Sequence, residues 1–133
     1  MEGNALASEK RAVILVVEDD ESISNLLQIN LSLAGFEPIM ARDGEKAIEI
    51  FRDTPVELVL LDLMLPGKDG WEVLAYIQEK SHGQTPVIIT SAKTQKADIE
   101  KGFQMGVIDY VTKPFDPLDL AEKIKRVLKK GKG

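Results

Sequence analysis

A three-layer α/β sandwich around a five-stranded, all-parallel sheet is the fold this sequence predicts. Three observations carry the expectation. Short apolar runs alternate with longer amphipathic segments from about residue 12 to residue 130. The runs around Val13–Val17, Leu58–Leu61 and Val87–Ile89 are almost continuously apolar, as strands are when helices cover both faces of a parallel sheet. The length, 133 residues, suits one domain with a sizeable buried core.

The elements follow in order as a (βα)5 series. Residues 12–18 read as the first strand, and Ile23, Leu26, Leu27, Leu31 and Ala34 recur at helical spacing until Gly35 ends the helix. A short strand near Pro38–Met40 precedes Asp43, a candidate N-cap for a helix carrying Ala47, Ile48 and Phe51. The third strand runs from Glu57 to Asp62, and Gly70 opens a helix with Val73, Leu74 and Ile77 turned inward. Pro86 introduces the strand Val87–Thr90, and a fourth helix covers Gln95–Met105 with Ile99 and Phe103 one turn apart. The fifth strand lies near Ile108–Val111, and the last helix lines up Leu120, Ala121, Ile124, Val127 and Leu128 on one face. Residues 1–11 read as a flexible arm, 12–130 as the domain and 131–133 as a tail or the start of a linker.

Composition narrows the function. A net charge of −5 argues against a nucleic-acid surface on this domain. No cysteine is present, which excludes a disulfide framework or a cysteine-based zinc site. No run approaches membrane-spanning length, and the N-terminal stretch lacks the apolar core of a secretion signal, so a cytoplasmic location is expected.

The chemistry concentrates where strands end. Asp62 closes the third strand, Glu18-Asp19 the first, and Lys113-Pro114 follows the fifth. Ligands of open α/β sheets bind at the carboxyl ends of the strands. A carboxylate there can act as a nucleophile and form an acyl phosphate, provided that cations cover the phosphoryl oxygens. Glu18, Asp19 and Asp62 form a suitable cage for Mg²⁺, which favours oxygen ligands, and Lys113 supplies a second cation. A hydroxyl at the end of the intervening strand, Ser91 or Thr90, is placed to bond a further phosphoryl oxygen.

Taken together, Val16-Val17-Glu18-Asp19, Leu61-Asp62 with Pro66 and Gly70, Ser91-Ala92, and Tyr110-Val111-Thr112-Lys113-Pro114-Phe115 resemble the motifs of two-component response-regulator receiver domains, in order and spacing, over residues 12 to 130. The resemblance implies a flavodoxin-like strand order 2-1-3-4-5, like that of chemotaxis receivers. It implies that Asp62 is the phosphoacceptor, Asp19 a direct Mg²⁺ ligand, Glu18 a ligand acting through water, and Met64 the donor of a backbone carbonyl; Mn²⁺ would suit the same ligands. Ser91 would be the switch hydroxyl, Lys113 the phosphate-pairing cation, Tyr110 the aromatic that reports the state, and Lys113-Pro114 a cis bond. The implied partners are a sensor histidine kinase or histidine phosphotransfer protein, and an output domain or target protein on the face of the fourth helix, fifth strand and last helix.

Other readings are weaker. Phosphohydrolases of the haloacid dehalogenase type carry a second acid two residues after the nucleophile, where this chain has Met64. A nucleotide or flavin binder would need a glycine loop of the G-x-x-x-x-G-K-[ST] or G-x-G-x-x-G kind, and neither occurs. Asp20 reads as a solvated helix start, and His82 as a surface residue. Regulators with winged-helix outputs usually pair charges across the fourth-helix, fifth-strand and fifth-helix face. Here Ala97, Ile99, Met105 and Ile108 make that face more apolar, which favours a hydrophobic partner or a weak homodimer. Met64 and Lys93 flank the path of a hydrolytic water, and the apolar Met64 offers it no hydrogen bond, so slow phosphate loss is expected.

Overall fold

The computed structural model describes residues 11–132. The expected N-terminal arm therefore lies, but for Arg11, outside the described residues. Strands β1 (Val13–Val17), β2 (Glu37–Ala41), β3 (Leu58–Asp62), β4 (Val87–Ser91) and β5 (Asp109–Thr112) alternate with helices α1 (Glu21–Leu33), α2 (Gly44–Asp53), α3 (Gly70–Ser81), α4 (Lys96–Gln104) and α5 (Pro117–Lys132). All four strand pairings are parallel, and the sheet order is β2-β1-β3-β4-β5. This is the flavodoxin-like strand order.

Strand alternation divides the core into two layers. Leu15, Val17, Val59, Leu61, Val87 and Ile89 point to one face and meet Ala47 of α2 with Val73, Leu74 and Ile77 of α3. Ile14, Val16, Leu58, Leu60 and Ile88 point to the other, against Leu27 and Leu31 of α1 and Leu120, Ala121 and Ile124 of α5. β3 and β4 are buried at every position, so the middle of the sheet lies deepest in the core. Burying one Leu or Ile side chain of these strands contributes about 2 kcal/mol.

Short polar side chains start the helices. Asp20 accepts the Ile23 N–H at 2.9 Å, Asp43 the Lys46 N–H at 2.8 Å and Asp69 the Trp71 N–H at 3.1 Å, each satisfying a donor that the first turn leaves free. Gly70 is set by close approach, since a Cβ there would lie 2.6 Å from the backbone of Leu63. That contact folds the segment after Asp62 back onto α3.

The structure corrects several expectations. Leu26 is half exposed, as are Ile29 and the still more open Leu33, so the buried stripe of α1 is narrower than its apolar content. β4 extends through Ser91, β5 begins one residue later than expected, and Gln95 is the N-cap of α4 rather than its first residue. Phe103 of α4 is exposed, while Met105 leaves the helix and packs on the core. α5 continues to Lys132. No helix among the described residues is long and apolar enough to cross a membrane.

Candidate functional site

Register brings the strand ends together. Val17 pairs with Leu61, Asp62 with Thr90, and Ser91 with Thr112. The ladder continues past the strands through the Glu18 N–H to Ala41 C=O bond at 3.0 Å and the Lys113 N–H to Ser91 C=O bond at 2.8 Å. Glu18, Asp62, Ser91 and Lys113 therefore share one edge of the sheet.

Carboxylate oxygens of Glu18, Asp19 and Asp62 lie within 4.8 Å of one another. Glu18 and Asp62 are buried, and Asp19 is exposed at the lip. Asp20 is turned away to cap α1. Lys113 Nζ lies 2.8 Å from Glu18 Oε1 and 3.0 Å from Asp62 Oδ2, bridging the two buried acids. The Asp62 Oδ1 atom accepts the Met64 N–H at 3.0 Å, and Glu18 Oε2 accepts the Asp20 N–H at 3.1 Å. Glu18 Oε1 has the ammonium contact but no aligned hydrogen bond.

Burial pushes the Glu18 carboxyl above its ordinary value, with the adjacent Lys113 ammonium opposing. Burial acts against the charge of Lys113 as well, yet Glu18 and then Asp62 outweigh it and hold the ammonium above its usual value. Two buried carboxylates, one with an incompletely bonded oxygen, and an exposed third at the lip fit a hard divalent cation such as Mg²⁺, which takes carboxylates together with water. The side chain of Met64 is exposed at the rim.

Ser91 is fully buried, and its Oγ accepts the Lys93 N–H at 3.1 Å. Tyr110 is half-buried and donates its hydroxyl to the Lys93 C=O at 3.0 Å; burial raises its pKa. Lys93 is therefore held at both backbone groups, once by each residue that the sequence singled out. Its main chain carries no signal in sequence, which is why only its side chain drew notice there. The Lys113-Pro114 peptide is cis. Thr90 is buried beside Asp62 in the ladder, with no hydroxyl bond to the cluster among the described residues.

The model of the response regulator receiver domain matches residues 14–125, and the chain belongs to that family. It is 38% identical over 117 residues to the alkaline phosphatase synthesis transcriptional regulatory protein PhoP of Bacillus subtilis, covering 88% of this chain and 48% of that protein. The match to the probable transcriptional regulator ycf27 of Porphyridium aerugineum has the same identity and coverage, 38%, 88% and 48%. The chain thus spans about half the length of these curated relatives. Among solved structures, a CheY-like receiver from Methanospirillum hungatei JF-1 superposes with a TM-score of 0.87 at 26% identity, covering 92% of this chain and 98% of that one. The receiver domain of DrrB, activated with BeF3, gives a TM-score of 0.81 at 32% identity over 90% and 98% of the two chains.

Proposed function

We propose that this receiver domain takes a phosphoryl group onto Asp62 from a phosphohistidine of a sensor histidine kinase or histidine phosphotransfer protein, and that the acyl phosphate switches the α4, β5 and α5 face. The observation that carries this is Asp62 itself, a buried carboxylate 3.0 Å from a lysine inside a three-acid cluster at the carboxyl edge of the sheet. In the transfer a carboxylate oxygen of Asp62 forms the new P–O bond while the donor P–N bond breaks, and the imidazole keeps the electron pair.

Glu18, Asp19, Asp62 and the Met64 carbonyl would hold Mg²⁺, or Mn²⁺ in its place, which supplies positive charge against the phosphoryl oxygens. Lys113 is already beside Asp62 Oδ2 and pairs with the phosphoryl group once it is attached. Ser91 exchanges its bond from the Lys93 N–H for one to a phosphoryl oxygen, and Tyr110 follows into the space that opens. Small shifts of this kind become large where packed elements have two discrete arrangements.

Catalysis in this reading is limited to self-phosphorylation from small donors and slow hydrolysis. Neither rim side chain, the Met64 thioether nor the Lys93 ammonium, offers a general base to activate water. The working location is the cytoplasm, the signal passes to an output domain or target protein, and neither nucleic acid nor membrane is contacted by this domain directly. Acetyl phosphate with Mg²⁺ tests the chemistry: wild type gains a hydroxylamine-labile phosphoryl adduct by intact mass, and Asp62→Asn gains none. An equal, equally labile adduct on the variant overturns the assignment.

A further inference from the structure

Helix α4 is fastened unequally at its two ends. Gln95, its N-cap, makes no side-chain capping bond, and Lys96 and Ala97 are exposed. The segment leading into it is tied by Ser91 and Tyr110 through the backbone of Lys93. At the other end, Gln78 of α3 donates from Nε2 to the Met105 C=O at 2.8 Å. Lys101 places its ammonium 4.4 Å from the centre of the Trp71 ring, also on α3.

The turn after α4 is shaped for this fastening. Gly106 has φ +94, a backbone conformation that favours glycine, and a Cβ on it would lie 2.7 Å from Gln78 Nε2, displacing that amide from its bond. One turn earlier, a Cβ on Gly102 would lie 3.0 Å from Ile89 Cδ1 and 3.3 Å from the Tyr110 ring, so the backbone of α4 rests on the sheet there.

The geometry points to Gln78 and Lys101 with Trp71 as a two-point clamp that fixes the C-terminal end of α4 to α3, making that end the pivot about which the helix turns. The pivot rests on the proposed switch, because the ties at the opposite end run through Ser91 and Tyr110, the residues expected to move. When those ties exchange, the start of α4 is released while its end stays clamped, so α4 swings rather than detaching. A charge over an aromatic face and a side-chain amide bond are each favourable contacts, and both join the end of α4 to α3. The clamp also links the output face to α3, which lies outside that face and follows the loop from Asp62.

Amide hydrogen exchange on the full chain tests this with two arms. In the first, wild type receives beryllofluoride and Mg²⁺: exchange should quicken through 93–99 and stay unchanged at 105–107. Equal acceleration of both segments would overturn the pivot. In the second, without beryllofluoride, Gln78→Leu and Lys101→Met should each speed exchange at 105–107 about two- to tenfold, as loss of one such interaction predicts, with β1 and β3 protected as in wild type. Lys101→Arg, which keeps a cation over the ring, should restore wild-type exchange. Unaltered exchange in both variants would overturn the clamp, whether or not Asp62 is the phosphoacceptor. A failure of the switch reading instead shows as no beryllofluoride response at 93–99 alongside a normal response to the substitutions.

Discussion

Asp19 and Asp20 are neighbours with opposite duties: one faces the carboxylate cluster, and the other accepts the Ile23 N–H at the start of α1. Asp19→Ala should therefore weaken Mg²⁺ binding far more than Asp20→Ala, in titrations followed by calorimetry. Asp20→Ala should instead lose about 1 kcal/mol of stability through the missing cap. Lys113 gives a prediction with a pH sign. Its pKa is raised in the fold, so its contribution is complete below the ordinary lysine value of 10.5 and is lost only as pH rises through the folded value. Denaturant unfolding of Lys113→Ala should show a loss of about 3 kcal/mol at pH 7, where two buried carboxylates lose their shared cation. The gap should narrow toward pH 11 and beyond, as wild type loses the same charge. In Mg²⁺ titrations the variant should bind at least as tightly as wild type, since a competing cation has gone. Asp62, Glu18 and Lys113 were legible in sequence because each follows an apolar run whose end register fixes. The Lys93 backbone was not, because its bonds arise from tertiary approach of Tyr110 to the β4–α4 loop.

At the scale of elements, continuous apolar runs made β1, β3 and β4 readable, and glycine with capping aspartates set the helix starts. Edges were harder. β5 has only half-buried or exposed positions, so nothing in its hydrophobicity fixed its first residue, and α1 carries more leucine and isoleucine than it buries. The loop between β3 and α3 owes its course to one atom-free space, the missing Cβ of Gly70 against Leu63. Gly70→Ala should lower stability by about 2 kcal/mol, because the obstruction is backbone and overpacking of this kind has no flexible neighbour to yield. It should also weaken Mg²⁺ binding, since the Met64 end of the same loop is displaced. Urea unfolding and Mg²⁺ titration of the one variant check both outcomes.

Over the whole molecule, α4, the residue before β5 and the start of α5 expose Ala97, Phe103, Ile108 and Leu118. Met105 is turned to the core instead, and Phe103 takes the exposed place that the sequence had given it. Asp109 is paired with Lys123 of the same chain, so this acid is already engaged within the domain. A self-contact or partner contact here should be apolar, and sedimentation of the beryllofluoride form should show a weak association little changed between low and high salt. The measurement that tests the account most directly is the set of amide shift changes that beryllofluoride with Mg²⁺ produces in wild type and in Asp62→Asn. The account predicts changes at 91–99, at Ile108–Tyr110 and along the facing side of α5 in wild type, and none in Asp62→Asn. The same changes in both proteins, or changes confined to α3 in wild type, would contradict it.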